Sequence, residues 1–437
     1  MMFYKKLILV YLFSPLLFNT SAFAEQSEKQ SQTSDKNAGS LKHEIKYRSG
    51  FSDDKTGSGS QSSVAKQLYL DDIFVPEHLR FPGFDKKIQP YYEWKRDVRK
   101  KYDLELGTDY TSLFQTASDS LTSNDTAGGG VFRLYGRWIA LNKDKNNSGS
   151  LVFKIENSHR YGSLISPDEL GQEVGYLGST GLLYSDFKLV LNDFNWLQQF
   201  NDDRAELVFG RLDLNDYMDV VDYANPWTTF QNSNILENHS IALPDTGFGL
   251  NLANWLSQQW YLKVGAIDAN GSLDDLAFFE HGSEFFSYAE IGWSPSSAVI
   301  DLKGIHLTLW HADQRVAEGV PEGEGVAIGG GWSFDKEWVV FGRAGQSTGA
   351  ASLMRRTLTA GVSHIWKAYF DVFGLAINYS EPTDQLLRNQ TTLETFLKVK
   401  ITQNIAVTPS FQLLINPALN PQEDIIGVAG LRLRLAL

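Results

Sequence analysis

Tyr102-Asp103-Leu104-Glu105-Leu106-Gly107-Thr108-Asp109-Tyr110 decides how the rest of the chain is read. Tyr102, Leu104, Leu106, Thr108 and Tyr110 alternate with Asp103, Glu105, Gly107 and Asp109, the pattern of a strand with one apolar and one wet face. The period of two persists downstream. Phe132, Leu134, Trp138 and Ala140 interleave with Arg133, Tyr135 and Arg137, and Leu151, Phe153 and Ile155 with Lys154 and Glu156. The last segment sets Leu431, Leu433, Leu435 and Leu437 against Arg432 and Arg434.

Segments of this kind fall at 102–115, 129–141, 150–161, 182–192, 204–212, 246–254, 258–267 and 285–293. They continue at 301–311, 325–335, 337–346, 355–366, 370–379, 391–402, 405–415 and 425–437. That makes about sixteen strands, an even number, as single-chain outer-membrane barrels have. Connections at one rim read as short turns: 255–257, 294–300, 336, 367–369 and 403–404, with 193–203 the poorest fit. The other rim carries long loops, above all 162–181 and Asp213 to Asp245. A soluble β-sandwich also alternates, but its charges would be ordinary surface groups and its loops would show no such two-rim asymmetry. The expected fold is all-β: a transmembrane antiparallel barrel over 102–437 with an N-terminal periplasmic extension.

Upstream, residues 1–24 have the form of a signal peptide. Lys5 and Lys6 precede an apolar core from Leu7 to Phe18, and Ala22-Phe23-Ala24 supplies a small-residue cleavage site. Residues 25–66 are rich in Ser, Gln, Lys, Asp and Gly and read as a flexible linker. Residues 67–101 read as an N-terminal periplasmic segment, with Pro90 opening a short basic helix.

Composition excludes several classes. No uninterrupted apolar run long enough for a spanning helix follows residue 24. Aromatic residues make up 13% of the chain, too many for disorder. The formal net charge is -13, and the loss of Lys5 and Lys6 would make the mature chain more acidic still, which disfavours nucleic acid as a partner. With no cysteine, thiolate metal sites, thiol nucleophiles and disulfides are absent together.

Motifs for chemistry are weak. His306 and His311 fall on opposite faces of one strand and are not expected to share an ion. Asp144-Lys145-Asn146-Asn147-Ser148-Gly149 begins like a calcium loop but has Ile155 where the bidentate Glu belongs, so it reads as a hairpin turn. Gly345-Gln346-Ser347-Thr348-Gly349 matches a nucleophile motif, but no helix follows its strand. No cofactor, metal or catalytic residue is therefore expected, and the chain does not read as an enzyme.

The wet face is more informative. It mixes both signs with bases modestly ahead, among them Arg133, Arg137, Lys154, Glu156, Arg160, Glu206 and Arg343, and so describes a polar, water-filled interior. The loop from Asp213 to Asp245 carries Asp213, Asp216, Asp219 and Asp222 with Tyr217, Tyr223, Trp227 and Phe230. Folded inward it would narrow the interior with aromatic surface beside hydrogen-bonding groups, which suits a sugar ring. The residues expected at this constriction are Arg133, Arg137, Lys154, Glu156, Arg160, Glu206, Asp213, Asp222, Trp227 and Arg343. Arg133 and Arg137 are expected to act as fixed donors, and Trp227 as a stacking wall.

Three clusters carry a family resemblance. Gly210-Arg211-Leu212-Asp213 leads into Tyr223-Ala224-Asn225 and Phe230-Gln231-Asn232-Ser233, and Leu243-Pro244-Asp245-Thr246-Gly247-Phe248-Gly249 follows. Thr408-Pro409-Ser410-Phe411-Gln412-Leu413-Leu414-Ile415-Asn416-Pro417 then precedes Gly430-Leu431-Arg432-Leu433-Arg434. From about Trp94 to Leu437 the chain resembles the carbohydrate-selective porin family, the OprB-type porins. It departs from the family at Trp94-Lys95-Arg96-Asp97, where no glycine pair follows the Trp, and at Leu437, where a Phe is usual. The resemblance implies a Gram-negative outer-membrane channel admitting sugars passively through a charged constriction. Outer-membrane lipid and small hydrophilic solutes are the implied partners, with a homo-oligomer left open. The alternative is a general or anion-preferring diffusion pore, favoured by the apparent excess of lumen bases; a barrel enzyme and an adhesive barrel are the further rivals.

Overall fold

A computed structural model describes residues 46–48, 58–75, 77–143, 145–221, 223, 225–273, 279, 283–296, 303–335, 337–366 and 371–437. The expected signal peptide, most of the expected linker, Asp144 and Asp222 lie outside the described residues, as do Lys336 and the expected turn at 367–369. Contacts divide the chain into a unit ending at Lys46 and a second from Tyr47 to Leu437, which contains all that follows.

Among the described residues, sixteen antiparallel strands form a closed barrel. They are β1 (Leu104–Ala117), β2 (Thr126–Leu141), β3 (Gly149–Arg160), β4 (Lys188–Phe200), β5 (Ala205–Leu212), β6 (Gly247–Trp255), β7 (Trp260–Asp268) and β8 (Phe285–Trp293). The second half comprises β9 (Lys303–Ala312), β10 (Gly323–Phe334), β11 (Trp338–Gly349), β12 (Met354–Trp366), β13 (Asp371–Pro382), β14 (Gln390–Lys400), β15 (Ile405–Ile415) and β16 (Ile425–Ala436). Closure is between β16 and β1, with Leu431 opposite Phe114 and Arg434 opposite Thr111.

The direction of the side chains separates this fold from a sandwich. Phe132 is 43% exposed while its neighbour Arg133 is 1% exposed, and Leu431 at 52% adjoins Arg432 at 1%. Apolar residues face outward and charges face in, as a barrel in lipid requires. Tyr102, Trp138, Trp260, Trp338 and Trp366 are exposed around the rim that carries the short turns. Tyr184 and Trp310, by contrast, are buried inside and take no part in an outer girdle.

One strand differs from its sequence reading. The fourth, expected at 182–192, runs over Lys188–Phe200, and residues 193–200 are strand instead of turn. The reason is a β-bulge: Lys154 pairs with Asp193 and Ile155 with Leu191, leaving Asn192 without a partner in the register. Consecutive Asn192 and Asp193 are both buried, which breaks the period of two in mid-strand. With the turn moved to 201–204, this connection becomes short like the others at its rim.

The N-terminal segment also differs. Residues 58–66, read as part of a flexible linker, are ordered, and α1 (Val64–Asp72) buries Val64, Ala65 and Leu68 inside the barrel. α2 (Pro82–Tyr102) is longer than expected: Pro82 occupies its first turn and Pro90 lies in its interior. Proline cannot bond to the carbonyl one turn back, but that carbonyl belongs to exposed Lys86, where water can satisfy it. Asp103 ends the helix in the left-handed conformation, φ 59°, its N–H donating to the Arg99 carbonyl at 2.9 Å.

The lumen constriction as candidate functional site

The barrel interior is narrowed from both rims. From the long-loop rim, residues 213–246 fold inward after β5, and from the short-turn rim residues 58–75 rise into the lumen and return. They meet where the Ser60 N–H donates to the Asp216 carbonyl at 2.7 Å. The Ser60 and Ser62 hydroxyls also donate to the Asp216 carboxylate, each at 2.7 Å, and the Ser58 hydroxyl donates to Glu206 at 2.7 Å.

The inward loop is held by wall charges that bond its backbone. Arg432 donates to the carbonyls of Pro226 and Thr229, both at 2.7 Å, and Arg343 to that of Ile235 at 2.6 Å. Lys263 donates to the Tyr217 carbonyl at 2.8 Å. Glu394 accepts from the N–H groups of Gln231 and Asn232, at 2.8 and 3.0 Å, and Glu290 from that of Asp219 at 2.8 Å. A loop inside a barrel has no ladder for its peptide groups, and fixed charges on the wall supply the partners. Apolar anchors complete the seat: Phe230 packs edge-on against Phe341 and Phe396 at 5.7 and 4.9 Å between ring centroids.

Gly345, the first glycine of the nucleophile-like motif, belongs to this seat. A Cβ there would lie 2.0 Å from the Ser240 hydroxyl, so the glycine admits the loop. Ser347 lies in β11, buried, and donates to the Met354 carbonyl at 3.1 Å instead of opening a strand-to-helix turn. His306 faces inward to Asp219 at 3.0 Å, whereas His311 is exposed beside Asp313.

The constriction borders a cavity of about 80 Å³ that opens to solvent. It brings together five of the residues expected from the sequence: Lys154, Glu156, Asp213, Trp227 and Arg343. Lys154 lies 2.7 Å from Asp193 and 3.5 Å from Asp216. Burial first, and the neighbouring Asp216 charge second, push the Asp213 carboxyl up to about 7. Burial likewise pushes Glu237 up to about 8, with Asp213 adding to the shift and Arg343 opposing it.

Other expected residues do different work. Arg133 and Arg137 are buried in ion pairs with Asp109 and Glu105 and are not free donors to a solute. Arg434 bridges Asp109 to Asp71 of α1, so this wall cluster ties the N-terminal segment down. Although burial opposes it, Arg434 together with hydrogen bonds from Tyr135 and Gln67 holds the Asp71 carboxyl well below the usual range. Trp227 borders the cavity but is only 2% exposed; Arg133 lies 3.9 Å from its ring centroid and Tyr184 packs at 5.9 Å. Its faces are occupied, which removes it as an open stacking wall. Arg160 lies at the long-loop rim, half exposed beside Asp186, and Glu206 is capped by Ser58.

Sequence reasoning missed Ser60, Ser62, Asn192, Glu237 and Asn238, all of which border the cavity. The serines were hidden by a composition that reads as linker, and Asn192 by the bulge. Asp216 and Asp219 were visible as part of the acidic loop but not singled out. The cavity's carboxylates, Glu156, Asp213, Asp216, Asp219 and Glu237, outnumber its bases, Lys154 and Arg343. The excess of bases read along the whole wall is thus not found at this cavity, because several wall arginines are spent on pairing and on loop carbonyls.

Residues 302–437 match the model of the carbohydrate-selective porin, OprB family. Porin AaxA of Chlamydia abortus is 23% identical over 261 residues, 57% of this chain and 58% of its own length. Porin AaxA of Chlamydia pneumoniae is 26% identical over 163 residues, 35% of this chain and 36% of its own. The chain thus spans little more than half the length of the first of these relatives and about a third of the second. The high-pH structure of Pseudomonas putida OprB superposes with a TM-score of 0.64 at 13% identity, covering 79% of this chain and 97% of that one.

Proposed function

We infer that this chain, whose C-terminal part matches the carbohydrate-selective porins, is an outer-membrane porin for passive, carbohydrate-preferring diffusion of small hydrophilic solutes. The observation that carries the reading is the cavity between the inward loop and the N-terminal serines. Its border alternates hydroxyl, amide and carboxylate groups: Ser60, Ser62, Asn192, Asn215 and Asn238 beside Glu156 and Asp213. Sugar hydroxyls both donate and accept, and such a border offers partners for both. With Trp227 covered, recognition rests on hydrogen bonding and not on stacking against that ring. The residues in named roles are Glu156 and Asp213 as acceptors, with Lys154 and Arg343 setting the local field. Such a site passes solutes and transforms none.

The rival is a general diffusion pore without sugar selectivity. An anion preference is disfavoured by the cavity's carboxyl groups, which attract cations increasingly as Asp213 and Glu237 ionise near pH 7 to 8. Planar-bilayer recordings separate the readings. A sugar-preferring pore shows concentration-dependent block by sugars and a reversal potential on the cation side. Conductance insensitive to every sugar tried would leave the general pore standing.

A further inference from the structure

α2 carries an apolar stripe that the barrel does not cover. The helix is fixed to the short-turn rim at both ends and in its middle. Just before it the Leu79 N–H donates to the Ile401 carbonyl at 2.9 Å, and after it the chain enters β1. Between them Tyr92 and Lys95 are buried, and Lys95 donates to the Leu437 carbonyl at 3.2 Å. At 100° per residue that contact face fixes where every other side chain of the helix points.

Phe84, Tyr91, Trp94, Val98 and Tyr102 fall on one arc beside the contact face. Phe84, Trp94 and Tyr102 are exposed, Tyr102 by 54%, and Tyr91 and Val98 are half-buried. Lys101 borders the stripe and Lys87 interrupts it between Trp94 and Val98, both exposed, and Lys101 lies 4.9 Å from the Tyr102 ring centroid. In the last turn Arg99 is taken up by an ion pair with Glu105 of β1 and Lys100 falls on the solvent side near Glu93, so Lys87 and Lys101 are the lysines at the stripe. Tyr102 stands two residues before Leu104, which pairs with exposed Trp138 of the rim girdle. The stripe therefore continues the barrel's lipid-facing surface, and no described helix is long and apolar enough to cross a membrane.

We propose that α2 lies in the plane of the periplasmic leaflet, its aromatic stripe among the acyl-chain boundary and its lysines on anionic phospholipid headgroups. An amphipathic helix with aromatics on one side and basic residues beside them binds such a surface through buried apolar area and charge together. The helix would hold the N-terminal insertion at the rim by anchoring its exit to the membrane. This inference rests on the outer-membrane reading of the barrel.

The absence of cysteine makes the test direct. Single cysteines at Phe84, Trp94, Glu93 and Leu431 in the full chain are labelled with an environment-sensitive fluorophore and placed in nanodiscs holding brominated lipid. Leu431→Cys reports the barrel belt and Glu93→Cys the solvent side of α2. Quenching at 84 and 94 at least threefold above that at 93, and greater with brominated phosphatidylglycerol than with brominated phosphatidylcholine, is the expected result. Neutralising Lys87 and Lys101 to Gln should abolish the preference for phosphatidylglycerol. Strong quenching at 431 with equal, weak quenching at 84, 94 and 93 overturns the helix placement alone. No quenching at 431 overturns the membrane barrel itself.

Discussion

The loop 213–246 and the N-terminal insertion 58–75 occupy the same lumen but are held there by different physics. The loop is tied through its backbone to buried wall charges and through Phe230 to an aromatic cluster. The insertion's tip is tied mainly by serine hydroxyls to Glu206 and Asp216, and only α1 behind it by ion pairs from Arg434. The first attachment is expensive to break because each lost partner leaves a buried charge or peptide group unpaired. The second is a set of neutral-to-charged hydrogen bonds at the edge of a solvated cavity. The loop therefore belongs to the fold, and the serine tip is the more loosely held of the two.

The largest expected effect comes from attacking the loop's seat. Glu394→Leu strands two buried N–H groups and should destabilise the barrel by about 2–5 kcal/mol, seen as a lower temperature of heat-modifiable migration in gels. Arg133→Met should fall in the same range, because it leaves buried Asp109 with Arg434 as its remaining cation and uncovers one face of Trp227. A variant of either kind with unchanged thermal behaviour would remove the distinction between the two regions. Trp227→Ala is expected to act through this packing, lowering stability by about 3–5 kcal/mol while changing sugar block little.

Removing the insertion tip should leave assembly intact and change conduction. Deleting residues 25–63 keeps α1 and the Asp71–Arg434 pair, so heat-modifiable migration should persist, while single-channel conductance should rise by about half or more, since conductance follows the open cross-section. Unchanged conductance would mean that the serines do not border the limiting section.

Charge at the cavity offers a subtler test. Asp213 and Glu237, raised to about 7 and about 8, gain charge as pH rises from about 6 to 9. Cation preference should therefore grow across that window and shrink toward acid, with Lys154 and Arg343 cationic throughout. A carboxyl whose pKa is raised by folding also opposes folding more as pH climbs above its unfolded value, so the stability contribution of these two groups should fall from about pH 4 to about pH 8 and level off above it. Asp213→Asn combined with Glu237→Gln should flatten the reversal-potential curve. Smallest of all, Ser62→Ala removes one hydroxyl from Asp216 and is expected to weaken the tip's attachment by about 1 kcal/mol, read as faster open-channel fluctuation.

The barrel was legible in the sequence because a membrane wall imposes a strict local rule: every second residue meets lipid and the next meets water. Phe132 beside Arg133 and Leu431 beside Arg432 obey it without knowledge of their neighbours, so strand number, rim asymmetry and the inward character of the long loop followed from periodicity and length. The rule fails where the chain leaves the wall's period, at the Asn192–Asp193 bulge, or never enters it, at Ser58 to Asp72. What only the tertiary structure decided is which charges remain available to a solute. Arg133, Arg137 and Arg432 have the same chemistry and the same inward direction as Lys154, yet their carboxylate and carbonyl partners come from other strands and from a loop distant in sequence. Arg133 and Arg137 meet the carboxylates directly opposite them on the neighbouring strand and Arg432 a loop distant in sequence, and only that register and that fold leave a constriction where carboxyl groups outnumber bases.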